Sequence, residues 1–370
     1  MTVGITNAIL GLMLSGVLAG FVLFRKNKLN PKPNITTFSG KISVIIPARN
    51  EETNLPYLLQ SLQNQTIQPN EIIVVDDHST DSTKSIAESF VVKVLSSPEL
   101  PNGWTGKNWA LWNGYLHSTG DLLIFLDADV RLKPTSIQSL IAKQQEVGGA
   151  ISVVPYHTTE EFYETFAMII NLLASFVFTS PFEKWNPIKG MFGACIVCSR
   201  ADYEKIGGHK SIRSEIIDDL NLGAALQKAG INVNNYIGHG IISFRMYPNG
   251  LKSELEGFSK SAFSSISKIH PITLGLIILW LIGLIISQLS WFFIQTSFFI
   301  PLITGYVLYM FQIFYLNYFI GRFGIVQPIF HFLSMIFFFV MLLYSLYQAV
   351  FLKKAIWKGR YINIGRRDNS

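Results

Sequence analysis

Between Ile272 and Ile320 this chain carries not one charged side chain. Val3 to Phe24 and Gln327 to Leu352 are free of charge as well. A helix crosses the apolar core of a bilayer with about 20 apolar residues. The runs therefore predict a membrane anchor at residues 1–24 and two or three hydrophobic segments within 271–352. Residues 41–268 between them have the composition of a soluble domain. This division accounts for a chain of 370 residues with 49% apolar and only 15% charged residues, too greasy for an ordinary cytosolic enzyme.

The first run is not a cleavable leader, because no positive region precedes it and Arg25, Lys26 and Lys28 follow it. The bias of basic residues toward the cytosolic side predicts an outside N-terminus and a domain 41–268 facing the cytosol of a multi-pass membrane protein. The formal charge of +6 is modest. Lysines and arginines gather beside the apolar runs, at Lys260, Lys268, Arg322, Lys353, Lys354, Lys358, Arg360, Arg366 and Arg367. That distribution suits anionic lipid headgroups, and no nucleic acid partner is expected. Three complete C-terminal crossings would put residues 353–370 outside, whereas their basic character argues for a cytosolic tail. Two full spans plus one interfacial or re-entrant segment reconcile the two.

Within 41–268, strands and helices alternate. Ile42–Ile46 reads as a buried strand, followed by a helix from Asn54 with Leu55, Leu58, Leu59 and Leu62 on one face. Glu71–Val75, Phe90–Leu95 and Leu122–Leu126 read as further strands, and Gly106–Leu116 as a helix. Asp81 or Ser82 suits the cap of the helix after Val75. Such alternation implies an α/β fold, a mostly parallel sheet with helices on both faces. Ligands of such sheets bind beyond the carboxyl ends of the strands, and the polar motifs stand there. The two cysteines, Cys195 and Cys198, lie in an apolar strand-like stretch. Residues three apart on a strand face opposite sides, and no second ligand pair exists for zinc, so small core residues are expected.

The run Leu122–Leu126 ends in Asp127-Ala128-Asp129. Residues two apart on an extended segment point the same way, so two carboxylates meet at one sheet edge. They repel unless a cation or donor compensates them. A divalent metal carrying a sugar nucleotide diphosphate would do so, since carboxylates and phosphates share Mg²⁺ or Mn²⁺. The plain alternative for an isolated Asp-x-Asp is a solvated turn. A dinucleotide-binding domain is excluded at the first turn, where Pro47-Ala-Arg-Asn-Glu-Glu52 replaces Gly-x-Gly-x-x-Gly. Gly103-Trp-Thr-Gly106-Lys107 has neither the spacing nor the hydroxyl of a P-loop.

Taken in order, VIIPARNEE (44–52), VVDDHSTDST (74–83), GWTGKNWAL (103–111), LDADV (126–130), FGACIVCSRADYEKIGGH (192–209) and IDDLNLGAALQKAG (217–230) resemble the motifs of family 2 glycosyltransferases. The resemblance implies a GT-A nucleotide-sugar fold and inverting transfer from a UDP-sugar with Mg²⁺ or Mn²⁺. Four further segments, PYHTTEEFYETF (155–166), GGHKS (207–211), FRMYPNG (244–250) and WKGRYI (357–362), resemble the members of that family that glycosylate carotenoic acids. The last is also similar to the C-terminal segment of ceramide glucosyltransferases.

By the resemblance, Asp77 contacts the uracil, with an Asx turn as its plain alternative. Arg49 stacks on the base or pairs with Glu51 or Glu52, and Pro47, Glu51 and Lys107 line the donor site. Asp127 lies toward the ribose and metal-bound water, and Asp129 ligates the metal. Asp219 is the general base, with Asp218 in place of the usual glutamate. For an acceptor carboxylate, Asp219 would orient rather than abstract a proton. The family's Gln-x-x-Arg-Trp motif is absent, and Arg245 or Arg360 is the substitute clamp for the diphosphate. Phe162–Phe182 is either an interfacial floor under a lipid acceptor or a core helix. The implied acceptor is a membrane lipid, best a C30 carotenoic acid, and the implied sugar is glucose. Another membrane lipid, or a growing polysaccharide, is the alternative acceptor.

Overall fold

The computed structural model describes residues 2–31, 38–352, 354–357 and 360–363, excepting the side chains of 2, 3, 260–265, 349 and 354–363. Along the chain, α1 (Thr2–Leu23) precedes β1 (Ile42–Ala48), α2 (Leu55–Gln63), β2 (Glu71–Asp76), α3 (Thr83–Glu88), β3 (Lys93–Ser96), α4 (Gly106–Leu116) and β4 (Leu122–Leu126). Next come β5 (Val130–Leu132), α5 (Ser136–Val147), β6 (Ala150–Val154), β7 (Tyr156–Thr158), α6 (Met168–Thr179), β8 (Cys195–Ser199) and α7 (Arg200–Lys205). Then follow α8 (Asp218–Lys228), β9 (Val233–Ile237), β10 (Ile242–Phe244), α9 (Leu251–Ser265), α10 (Pro271–Gln288) and α11 (Phe299–Ile320). The last elements are β11 (Gly321–Arg322), α12 (Val326–Ile329), α13 (Phe332–Tyr347), β12 (Lys354–Trp357) and β13 (Arg360–Asn363). The chain divides into an α/β unit of residues 28–156, 187–268 and 341–370, and a helical unit of residues 1–27, 157–186 and 269–340.

The α/β unit is built on a seven-stranded sheet in the order β3-β2-β1-β4-β8-β6-β9. Strands β1 to β4 run parallel, and β8 is antiparallel to both neighbours, so the sheet is mixed and mostly parallel. The β-branched and leucine-rich strands are buried on both faces, which is why they read as continuous apolar runs. Cys195 joins the cluster of buried side chains on one face and Cys198 that on the other, as their spacing predicts. Both are free thiols. β3 begins three residues later than the apolar run suggests, because Phe90 closes the α3 turn through its amide on the Ala87 carbonyl. Asp81, not Ser82, satisfies the start of α3, accepting from the Thr83 amide and hydroxyl.

Four helices among the described residues are long and apolar enough to cross a membrane: Gly4–Leu23, Pro271–Phe292, Phe299–Ile320 and Phe332–Leu352. Lipid tails give helices no hydrophobic reason to associate, so small residues and polar bonds carry the packing. In the helical unit Gln312 accepts from the Trp280 indole at 2.8 Å and donates to the Val17 carbonyl at 2.6 Å, tying α11 to α10 and α1. The Tyr309 hydroxyl donates to the Trp280 carbonyl at 2.9 Å and occupies the space a side chain would need at Gly16 and Gly283. Helix α6 buries Met168, Leu172 and Phe176, with Phe176 edge-on to Trp280. Of the two readings of Phe162–Phe182, its centre is thus a core helix. Phe162 stays exposed.

Beyond α11 the chain turns back along it. Gly321 and Arg322 pair with His157 and Thr158. The His331 ring stacks on Tyr306 with centroids 4.4 Å apart, and the Tyr306 hydroxyl donates to the Ile329 carbonyl. Tyr306 lies 14 residues before Ile320, about 21 Å of helix. Ser334 donates to the Gln327 side-chain oxygen at 2.7 Å, a further bond within this fold-back. In the α/β unit, Ser345 donates to the Ser259 carbonyl of α9. Of the predicted basic tail, Lys353, Lys358, Arg366 and Arg367 lie outside the described residues, as do the side chains of Lys354 and Arg360.

Replacing Gln312 by leucine removes two interhelical bonds. It is expected to lower the stability of the helical unit in detergent by about 1–2 kcal/mol, read as a lower thermal midpoint, with the near-ultraviolet circular dichroism before the transition unchanged.

Candidate active site

A cleft opens at the carboxyl ends of β1, β2 and β4, the place where ligands of such sheets bind. Pro47, Arg49 and Glu51 line it from the β1 turn, Asp77 from the β2 turn, Lys107 from the start of α4, and Asp127 and Asp129 from the end of β4. Seven of the sequence-predicted positions therefore share one cleft. Asp219 and Arg245 do not line it. Arg360 falls on β13, with its side chain outside the described residues.

The turns are held by backbone bonds. The Asp77 amide donates to the Ala48 carbonyl at 2.8 Å, joining the ends of β1 and β2. Arg49 donates to the Asp77 carbonyl at 2.6 Å and the His78 carbonyl at 3.2 Å. The arginine thereby closes the two turns on each other while remaining in the cleft wall. Asn50 and His78 adopt positive φ of 51° and 54°, a conformation that sharp functional turns impose at a cost on ordinary residues.

Lys107 is the electrostatic centre. Its ammonium lies 2.8 Å from Asp127 and 3.5 Å from Asp218. Burial disfavours its charge, but Asp127, Asp218 and Asp219 outweigh burial and hold its pKa above the ordinary lysine value. Asp219 accepts from the Gly193 amide at 2.9 Å and from its neighbour Leu220 at 2.8 Å. A Cβ on Gly193 would crowd that carboxylate, which explains the glycine before the β8 strand. Burial first, then Asp218, push the Asp219 carboxyl up to about 6, with Lys107 opposing them. That places it near neutrality, where a general base works best.

Asn108, not singled out by the sequence, brings these segments together. It is fully buried, and its side-chain amide donates to the carbonyls of Ile212, Arg213 and Glu215 at 2.8, 3.3 and 3.1 Å. The Thr105 amide adds a bond to the Arg213 carbonyl at 2.8 Å. The loop leading into Asp218 and Asp219 is thereby fastened to the turn that carries Lys107. Beside it, His209 is buried and bonded to the Tyr203 hydroxyl at 2.7 Å, and burial lowers its pKa to about 4. It is a neutral packing residue.

Met246 and Tyr247 complete the cleft and were also not singled out. β10 pairs antiparallel with β5, setting Phe244 opposite Val130. The Arg245 amide continues this ladder to the Asp129 carbonyl at 3.2 Å. The Phe-Arg-Met-Tyr segment is thus laid against Asp-Ala-Asp by a pairing more than a hundred residues apart in sequence. Arg245 contributes its backbone there, and its side chain is buried outside the cleft.

Among the described residues no three His, Cys, Asp or Glu side chains gather as a metal site. Asp127 and Asp129 supply two carboxylates on one wall. Mg²⁺ is commonly held by one or two carboxylates, substrate phosphates and water, so the donor set fits a cation that arrives with a diphosphate.

A cleft over the ends of parallel strands, edged by an Asp-x-Asp and an acidic helix start, is the arrangement of a nucleotide-sugar transferase of GT-A type. The chain belongs to glycosyl transferase family 2. That family's model matches residues 43–207. The chain is 37% identical to the 4,4'-diaponeurosporenoate glycosyltransferase of Staphylococcus haemolyticus (strain JCSC1435) over 73% of its length and 74% of the relative's. It is 33% identical to the protein of the same name from Staphylococcus aureus (strain MRSA252), over 95% of this chain and 96% of that one. Among solved structures, the mannosyltransferase PcManGT from Pyrobaculum calidifontis, in complex with GDP-Man and Mn²⁺, is similar in fold. Its TM-score is 0.56 at 16% identity, covering 95% of this chain and 99% of that one. The protein is a membrane-associated glycosyltransferase that takes its sugar from a nucleotide-sugar donor.

Two outcomes test the cluster. With a hydroxyl acceptor, initial rates should rise with pH up to about 6 as Asp219 deprotonates, then level off. Lys107→Met, which removes the opposing cation, should move that limb to higher pH, and a flat wild-type profile between pH 5 and 7 would remove Asp219 as the base. Asn108→Ala should destabilise the unit by ~1–3 kcal/mol, because buried carbonyls lose their donor, and reduce transfer beyond what the lost folded fraction explains.

Proposed function

We propose that this enzyme transfers glucose, with inversion, from UDP-glucose to a long-chain carotenoic acid or a similar membrane amphiphile. The identity of 33% along 95% of the chain to a diaponeurosporenoate glycosyltransferase carries this reading. The long apolar helices support a lipid-soluble acceptor, because a water-soluble one would not need them.

In the proposed reaction an acceptor oxygen attacks the anomeric carbon as the bond to the UDP oxygen breaks. The bonding pair leaves with UDP. A hydroxyl acceptor loses its proton to Asp219, whereas an acceptor carboxylate attacks as it is and Asp219 orients it. Asp77 and Arg49 hold the uridine end, Lys107 faces the diphosphate, and Asp129 with Asp127 would hold a divalent cation. Such a cation supplies Lewis-acid stabilisation of the departing diphosphate.

The proposal includes the membrane arrangement, with the catalytic unit cytosolic and the N-terminus outside. The Ser345–Ser259 bond supports a C-terminus on the catalytic side, because it fixes the end of α13 to α9 of the α/β unit. Three full crossings between Pro271 and Leu352 would leave their ends on opposite faces. The fold-back from Gly321 to His331 supports assigning the segment through α13 as the re-entrant one. Single cysteines introduced at Ser297 and Ser370 test this in sealed cells. Ser297→Cys is expected to react with an impermeant maleimide from outside, and Ser370→Cys only after permeabilisation.

Purified full-length enzyme incubated with a donor panel and an acceptor panel tests the chemistry. UDP-glucose with a carotenoic acid should give a glycosyl ester. Asp129→Ala and chelation by EDTA should both abolish it, and full activity in either case would refute the metal assignment. A polymer, or a soluble glycoside, as the main product would refute the lipid acceptor.

A further inference from the structure

We propose that the turn Pro181–Trp185 is a membrane-interface anchor whose partner is the phospholipid surface. Phe182 and Trp185 lie at the boundary of the acyl chains, and Lys184 meets the lipid phosphates. The anchor goes beyond the catalytic reading and rests on α10 crossing the bilayer.

The turn is fastened to the start of that helix. α10 begins at Pro271, and the His270 ring caps it by accepting from the Ile272 amide at 3.3 Å. Glu183 is buried. Its two carboxylate oxygens accept from the His270 amide at 3.1 Å and from the Asn186 side chain at 2.6 Å. The Ser180 and Thr273 hydroxyls are bonded to each other at 2.9 Å. The Phe182 ring stacks on His270, with centroids 6.5 Å apart and planes at 18°. The turn therefore lies level with the end of α10, where a spanning helix passes from acyl chains to headgroups.

A second group marks the same level. Gly16 of α1 lies beside the Leu279 carbonyl and Gly283 beside the Met13 backbone, so α1 and α10 run antiparallel. Gly305 lies against Met13 and Gln312 bonds the Val17 carbonyl, so α1 and α11 run parallel. The end of α1, the end of α11 and the start of α10 thus share one end of the helical unit. There Lys26 stands over the Tyr315 and Phe319 rings, 4.9 and 4.7 Å from their centroids.

The turn repeats this chemistry at the start of α10. Trp185 is 61% exposed, and the Lys184 ammonium lies 4.2 Å from its ring centre. The Phe182 and Trp185 rings are 6.1 Å apart. Tryptophan rings collect at headgroup depth, because one end is apolar and the other polar. Lysines there bury the stem and keep the ammonium among the headgroups. Continuity with the end of a spanning helix selects lipid as the occupant of this surface. Eight residues after Trp185, the same chain segment donates the Gly193 amide to Asp219.

The test uses the natural full-length chain in phosphatidylcholine–phosphatidylglycerol vesicles, with photoactivatable lipids and peptide mass spectrometry. One probe lipid carries a diazirine beside the glycerol, the other at the end of an acyl chain. The shallow probe should label Phe182 and Trp185, and the deep probe the exposed Ile278 within α10. Neither should label Tyr57, which is exposed on the α/β unit. A turn labelled by neither probe, labelled as strongly by the deep one, or labelled no more than Tyr57 would overturn the anchor. An Ile278 untouched by the deep probe would overturn the crossing of α10, and the anchor with it. Lys184→Glu should lower shallow labelling of Trp185 severalfold in vesicles with phosphatidylglycerol and leave it nearly unchanged in phosphatidylcholine alone. Equal labelling of variant and natural chain in both would remove Lys184 from the interface.

Discussion

The site depends on one ammonium group. Asp127 ends a central strand, and Asp218 and Asp219 begin a helix some ninety residues later. Three carboxylates drawn into one partly buried place would repel, and protonation would be the cheap escape. Lys107 offsets the repulsion, reaching Asp127 and Asp218 at once. Its own ionisation survives burial only because those aspartates surround it. Asp219, raised by burial and by Asp218 and opposed by Lys107, is left with a carboxyl near neutrality. A buried cluster of this kind is weak evidence for stability. Its value here is chemical: it ties the acidic start of α8 to Asp127 in the cleft wall.

Positioning comes from groups that make no chemistry themselves. Asn108 holds three carbonyls of the loop before Asp218, and Gly193 leaves room for the Asp219 carboxylate. The β5–β10 pair lays the Arg245–Tyr247 segment along Asp129. Packing of Tyr247 on Gly257 and Phe258 then links the cleft wall to α9. α9 also receives the end of α13 through Ser345. In the helical unit, Gln312 and Tyr309 tie three apolar helices with few bonds, as helices without a hydrophobic driving force between them require.

Much of this was legible in the residues. Period and composition gave strands β1, β2 and β4, helix α4, the opposed cysteines and the membrane helices, because each depends on neighbours within about ten positions. The ordered motifs gave the family, and with it seven residues that do share the cleft. Other features were not legible. Arg245 carried the arginine expected of a clamp, yet its side chain is buried away from the cleft and Tyr247, two residues on, lines it. Nothing in one sequence sets Phe244 opposite Val130. Phe162–Phe182 was balanced between interface and core, since a nearly uncharged, aromatic-rich segment has no strongly charged face to say which side is buried.

The sequence by itself therefore determined the kinds of element, the division between lipid and water, and the carboxylates at the strand ends. These follow from local periodicity and from transfer of side chains out of water, which act residue by residue. The tertiary structure decided which distant segments meet: Lys107 with Asp218, Asn108 with the loop after Ile212, Arg245 with Asp129. The reason is that these contacts arise from strand register and loop closure. Those are set by the packing of the whole unit, so the residues involved carry no mark of their partners.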